Sequence, residues 1–144
     1  MRAFALLLSA TVASSATAVD RQVVDCDEAH IGLTSLVTPV SGNSHSFYEG
    51  RVTFYTLDRI EPVCCAAGVA VVLPDAESEL GDTKCLAVLD LNSVDVRNAR
   101  ASYGRRGLLV EMETTAYDDD DGSSVPAEPL KLRINLKNST VTLE

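Results

Sequence analysis

Residues 130–137 read Leu-Lys-Leu-Arg-Ile-Asn-Leu-Lys, and apolar and polar residues alternate along the whole stretch. Successive side chains of a β-strand point to opposite faces of the sheet. Strict alternation therefore predicts a strand with one face in a core and the other in water. This stretch sets the expectation that the fold is built from half-buried antiparallel strands.

The residues that follow continue the same pattern. Val141 and Leu143 resume the alternation after residues 138–139, Asn-Ser. A two-residue turn at 138–139 would place Leu136 opposite Val141, so that apolar side chains meet across the pair. Asn suits the positive φ that such turns require. The C-terminal segment therefore predicts a β-hairpin.

A second hairpin is predicted around residues 104–107, Gly-Arg-Arg-Gly. With these residues as the loop, Tyr103 lies opposite Leu108 on one face. On the other face Arg100 lies opposite Glu111, which is a favourable cross-strand charge pair. One register therefore satisfies both faces.

Three further runs, residues 52–57, 69–73 and 86–91, are apolar on both faces. Such runs predict central strands that are covered on both sides. Residues 29–37 are ambiguous, because they fit one short N-terminal helix ended by Pro39 or a strand over 33–37. The whole pattern predicts an all-β fold, an antiparallel sandwich or partly open barrel of about six to eight short strands.

The N-terminus has the order of features of a secretory signal peptide. Arg2 precedes a short apolar run, and residues 16–18 read Ala-Thr-Ala, a cleavage pattern. The sequence therefore predicts a signal peptide at 1–18 and a single all-β domain at 19–144, secreted or periplasmic. The apolar run is too short to span a bilayer, and we expect no membrane insertion after cleavage.

The charge of the chain restricts its partners. The formal net charge is −9, and cleavage of the signal peptide removes Arg2 and makes the domain more acidic. Phosphate backbones repel such a surface, so nucleic acid is not an expected partner. The expected partner is a protein or a small ligand of unknown identity.

The four cysteines, Cys26, Cys64, Cys65 and Cys85, predict disulfides, because exported proteins meet an oxidising compartment. A direct bond between Cys64 and Cys65 would close a strained ring. Neighbours in an extended segment point to opposite faces, so each is expected to join Cys26 or Cys85. A thiolate metal site that includes one of the two histidines is the alternative, although the paired spacing usual for zinc is missing.

The acidic segment 117–128 resembles a calcium-binding loop in part. Asp119, Asp121 and Glu128 fall on positions that carry ligands in the twelve-residue template. Tyr117 stands at the first position and offers no carboxylate. The segment therefore predicts either a solvated loop that keeps the protein soluble or a weak calcium site at these three carboxylates.

The sequence offers little for catalysis. Its two histidines are His30, which lies near Asp27 and Glu28, and His45, which lies in a serine-rich turn. No Gly-x-Ser-x-Gly nucleophile motif is present. We therefore expect no cofactor other than calcium, and a non-catalytic binding or structural β-module. The alternatives are a calcium-dependent module that uses the 117–128 loop and a hydrolase with an unrecognised site.

One modification signal is present. Residues 138–140, Asn-Ser-Thr, match the acceptor sequence for N-glycosylation. The match has meaning only in a eukaryotic secretory pathway. It falls on the predicted C-terminal turn, where a glycan would have room.

Overall fold

The computed structural model describes residues 21–60 and 65–144. The predicted signal peptide at 1–18 and Cys64 lie outside these residues. None of the described residues forms a helix with the length and apolarity needed to cross a membrane. The regular structure is almost entirely antiparallel β-strand, which confirms the predicted fold class.

Twelve strands form within the described ranges, more than the six to eight expected, because several are pieces of two to four residues. Their bounds are β1 Val23–Asp25, β2 Ser44–Phe47, β3 Val52–Asp58, β4 Ala67–Pro74, β5 Thr83–Leu91, β6 Ser93–Val94, β7 Arg100–Gly104, β8 Gly107–Met112, β9 Thr114–Tyr117, β10 Ser124–Pro126, β11 Leu130–Asn135 and β12 Thr140–Leu143.

The strands form three sheets. A five-stranded sheet has the order β1-β5-β4-β3-β2, and a four-stranded sheet has the order β12-β11-β8-β7. A small sheet of β10, β9 and β6 completes the set. The predicted central strands are β3, β4 and β5, and they do occupy the middle of the five-stranded sheet.

The two larger sheets share one hydrophobic core, which makes the fold sandwich-like. Their inner faces contribute fully buried side chains to a single cluster, among them Phe54, Val69, Val71, Leu73 and Val88 from the five-stranded sheet and Leu108, Val110, Leu132 and Ile134 from the four-stranded sheet. Burial of large apolar side chains is the main favourable term in folding, at about 1.5–3 kcal/mol each.

The hairpin at residues 104–107 forms in the predicted register. Tyr103 lies opposite Leu108, and Arg100 lies opposite Glu111. The Arg100 guanidinium donates a hydrogen bond to the Glu111 carboxylate at 2.7 Å. The predicted register is confirmed, and it was predictable because a single register satisfies the side chains on both faces of the strand pair.

The C-terminal hairpin forms, but the predicted register is wrong by two residues. Val141 lies opposite Ile134 and not opposite Leu136, so the loop spans residues 136–139. The buried Ser139 explains the wider loop. Its hydroxyl donates to the Pro74 carbonyl at 2.7 Å and accepts from the Ala76 N–H at 2.6 Å, which ties the turn to the β4–β5 loop.

The N-terminal segment contains no α-helix within residues 21–60. Two short 3-10 helices, Leu33–Ser35 and Val40–Gly42, take the place of the predicted helix or strand. A single bridge joins Leu36 to Leu57 of β3. Glycine and threonine at the ambiguous positions weaken a longer helix, as their low helix propensity predicts.

Cys26 and Cys85 are bonded to each other, with their Cα atoms 5.4 Å apart. The prediction that each joins Cys64 or Cys65 is therefore wrong. The pairing of β1 with β5 places the two cysteines opposite each other just beyond the paired residues, although 59 positions separate them in sequence. Alternating patterns identify strands without naming their neighbours, so the sequence did not reveal this contact. Cys65 is also disulfide-bonded.

The first prediction concerns this disulfide. Replacing both Cys26 and Cys85 by Ser should lower the free energy of unfolding by about 2–4 kcal/mol, because the cross-link restricts the unfolded chain. Urea denaturation followed by circular dichroism measures the change. Non-reducing peptide mapping provides the check on connectivity. A Cys26 peptide linked to a Cys65 peptide would contradict the pairing.

The second prediction concerns the buried turn. Ser139→Ala should cost about 1–3 kcal/mol, because the Ala76 N–H and the Pro74 carbonyl both lose a partner. The exposed Ser102→Ala on β7 is the matched control and should change stability little. Equal urea midpoints for both variants and the wild type would show that the buried hydroxyl does not hold the turn.

Candidate functional site

The outer face of the four-stranded sheet is polar. Arg100 and Lys131 flank Glu111 across the strands, with nitrogen-to-oxygen distances of 2.7 Å and 3.8 Å. Arg133 pairs with Glu144 at 2.9 Å. Exposed ion pairs of this kind contribute little stability. They mark a solvated surface, which is the usual outer face of an antiparallel sheet.

The central part of the outer face of the five-stranded sheet is apolar. One cross-strand row consists of Tyr55, Ala70, Ala87 and Val24, as the registers of β3, β4, β5 and β1 require. Ala70 and Ala87 are buried although they face away from the sandwich core. They belong to a second, smaller apolar cluster that also includes the disulfide. The two sheets therefore differ in the chemistry of their outer faces.

The chain between β1 and β2 crosses this apolar face. One end is fastened by the Cys26–Cys85 bond and by the Ile31 N–H, which donates to the Cys26 carbonyl at 2.9 Å. The other end is fastened to β3, where the Val37 N–H donates to the Thr56 carbonyl at 3.1 Å. Between these anchors, the backbone hydrogen bonds of residues 32–35 are local. The crossing segment is therefore held at its ends and leaves space beneath it.

A groove of about 590 Å³ lies between the crossing segment and the sheet. The segment contributes Ile31, Gly32, Leu33, Leu36 and Val40, and the sheet contributes Tyr55, Ala70, Val72 and Cys85. No described lining residue carries a formal charge. The Tyr55 phenol is the hydrogen-bonding side chain among them. This groove can accommodate an apolar molecule, and Tyr55 is the lining residue whose side chain can exchange a proton or a hydrogen bond with it.

Two apolar side chains stand open at the rim. Leu33 is 87% exposed and Val40 is 36% exposed. An isolated exposed apolar residue is common and needs no explanation. Here both residues border a concave apolar floor, and a bound apolar molecule would cover them. Concave apolar pockets with few polar groups are the usual sites for small ligands.

A second cavity, of about 370 Å³, is polar and lies between residues 39–43 and 94–98. The polar side chains that line this cavity form hydrogen bonds with other residues of the chain. Arg97 Nε donates to the Gly42 carbonyl at 3.1 Å. The Asn98 side-chain amide donates to Asp95 at 2.7 Å, and this bond lowers the pKa of the Asp95 carboxyl. The apolar groove is therefore the better candidate for a binding site.

The acidic loop places its carboxylates against its own backbone. Asp118 Oδ1 accepts from the Asp120 N–H at 2.9 Å, and Asp121 Oδ1 accepts from the Ser123 N–H at 2.8 Å. Hydrogen bonding from Ser123 lowers the pKa of the Asp121 carboxyl. Across residues 21–60 and 65–144, no group of three or more His, Cys, Asp or Glu residues is arranged to hold a metal ion. Calcium binding by Asp119, Asp121 and Glu128 therefore stays a prediction.

The two histidines lie in different surroundings. His45 Nδ1 donates to the Arg97 carbonyl at 2.8 Å, and its ring stacks on Phe47 with centroids 4.6 Å apart. No serine hydroxyl or carboxylate within 21–60 and 65–144 hydrogen-bonds to this ring. His30 is exposed in a turn with positive φ. His45 therefore links the edge strand β2 to residue 97 and packs on Phe47.

Sequence reasoning did not find the groove. The signal was present, because the runs that became β3, β4 and β5 are apolar on both faces and so required cover on both sides. The pattern could not show that the second cover is an irregular segment and not another sheet.

Comparison of the chain with protein-family models, with curated proteins and with solved structures found no match.

The third prediction concerns the acidic loop. Asp119→Asn combined with Asp121→Asn should change the melting temperature little in the absence of calcium, because the relief of repulsion between exposed carboxylates opposes the weaker hydrogen bond from the Ser123 N–H to residue 121. Glu77→Gln combined with Glu79→Gln is the charge-matched control. Differential scanning fluorimetry with and without calcium is the measurement. If calcium raises the melting temperature of the wild type by several degrees but not that of the Asp variant, the loop is a calcium site.

Proposed function

We propose that the protein is an exported, non-catalytic binding module that holds a small apolar ligand in the groove on the outer face of the five-stranded sheet. The observation that carries this proposal is the contrast between the two outer faces. One is a solvated row of ion pairs, and the other is apolar and only partly covered.

The size of the groove supports a small molecule as the occupant. Small-molecule sites typically measure about 300–1,000 Å³, and the groove measures about 590 Å³. The Tyr55 hydroxyl offers one polar contact to orient a ligand within an otherwise apolar lining. The described lining residues carry no charge, so a charged ligand would be buried there without a partner. Neutral or weakly polar molecules therefore suit this groove.

Export is supported by two independent observations. The N-terminal residues have the order of a signal peptide, and the protein contains the Cys26–Cys85 disulfide. Structural disulfides persist mainly in oxidising compartments. We therefore propose that the module acts outside the cytoplasm, as a secreted or periplasmic protein.

The fourth prediction tests the groove with the neutral fluorescent probe N-phenyl-1-naphthylamine. The wild type should bind the probe and enhance its fluorescence. Leu33→Glu should weaken the affinity about tenfold, equivalent to about 1.4 kcal/mol, because it removes an apolar contact and adds a charge at the rim. Leu33 is 87% exposed, so the substitution should leave the fold intact.

Leu80→Glu is the matched control, because Leu80 is 91% exposed and lies in the β4–β5 loop away from the groove. It should leave the affinity unchanged. Circular dichroism of both variants confirms that they fold. Absence of fluorescence enhancement with the wild type, or equal loss of affinity in both variants, would contradict the proposal.

A further inference from the structure

We propose that Asn138 is the acceptor for an N-linked glycan. Residues 138–140 are the one Asn-x-Ser/Thr sequence in the chain, and the middle residue is not proline. Such a triplet also arises by chance. Three features of the folded chain distinguish this copy: the exposure of the acceptor, the anchoring of its turn and the position of the Thr140 hydroxyl.

The first two features belong to the loop between β11 and β12. Asn138 is exposed, and its Nδ2 atom makes no hydrogen bond to any residue in 21–60 or 65–144. The next residue, Ser139, is 2% exposed and bonds to Pro74 and Ala76. The hydrogen bonds of the buried Ser139 therefore fix the turn, while the acceptor side chain faces solvent.

The third feature is the contact between the two residues that define the motif. The Thr140 hydroxyl donates to Asn138 Oδ1 at 2.8 Å. The contact occupies the amide oxygen and leaves the amide nitrogen accessible, and the nitrogen is the atom that receives the sugar. The local geometry therefore presents the reactive atom of Asn138 outward.

The donor would be an oligosaccharide carried on a polyprenyl diphosphate, and a transferase of the secretory pathway would catalyse the step. The bond from Asn138 Nδ2 to C1 of the first sugar forms as the bond from C1 to the diphosphate oxygen breaks. The diphosphate leaves with the electron pair, and the proton from Nδ2 passes to a base of the transferase. The disulfide and the predicted signal peptide support the export that this step requires.

Asn138 is not among the residues that line the proposed ligand groove. Asn138 lies on a hairpin of the four-stranded sheet, whereas the groove lies on the outer face of the five-stranded sheet. The glycosylation proposal rests on the export that forms part of the proposed function, but it does not rest on ligand binding in the groove. A wild type that carries the glycan and binds no probe would separate the two.

The fifth prediction is tested by secretion of the full chain from a eukaryotic cell line, with a strong secretion leader fused ahead of it. Protein recovered from the medium should gain mobility on a gel after treatment with peptide N-glycosidase F. That enzyme converts the glycosylated Asn to Asp, so mass spectrometry of the peptide that contains residue 138 locates the site. Asn138→Gln should abolish the shift.

Three further variants separate acceptor chemistry from folding. Thr140→Ser keeps the hydroxyl and should keep the shift, whereas Thr140→Ala should lose it. Asn92→Gln changes an asparagine that is followed by Ser93 and Val94, outside the acceptor pattern, and should keep the shift. Secreted wild type without any shift, or a shift that persists in Asn138→Gln, would overturn the proposal.

Discussion

The disulfide between Cys26 and Cys85 stabilises this fold in two ways. It fastens the edge strand β1 to β5, and it fixes the start of the segment that crosses the apolar outer face of the five-stranded sheet. Without this bond, the start of the crossing segment would be held by hydrogen bonds alone, through the pairing of β1 with β5 and the Cys26 N–H, which donates to the Cys85 carbonyl at 3.2 Å. Any part of the apolar row through Ala70 and Ala87 that became exposed would cost about 25 cal/mol for each Å².

The groove arises because an irregular segment covers a flat apolar face incompletely. The inner faces of the two larger sheets interlock as they do in other sandwiches, and their shared core leaves no exposed apolar floor. The outer face of the five-stranded sheet is crossed by one irregular segment, whose hydrogen bonds are local between its two anchors. Leu33 and Val40 stand at its rim, exposed. The same sheet thus provides a packed core on one side and a concave apolar surface on the other.

The sequence was sufficient wherever one pattern constrained two faces. The hairpin around residues 104–107 was predicted in its observed register, because the pairing of Arg100 with Glu111 and the pairing of Tyr103 with Leu108 require the same register. The sequence was insufficient wherever a shift of two residues preserves the alternating pattern. In the C-terminal hairpin, the hydrogen bonds of Ser139 to a distant loop determine the register. The disulfide pairing and the groove depend on which strands and segments meet, and alternation carries no information on that.

The most direct test of the central claim, that the outer face of the five-stranded sheet binds a small apolar ligand, is a nuclear magnetic resonance titration. The uniformly ¹⁵N-labelled wild type is titrated with N-phenyl-1-naphthylamine, and amide shifts are mapped onto the structure. The account predicts saturable shifts confined to residues 31–40 and to the outer positions of β3, β4 and β5 near Tyr55, Ala70 and Val72. Shifts centred on the four-stranded sheet, or none that saturate, would contradict it.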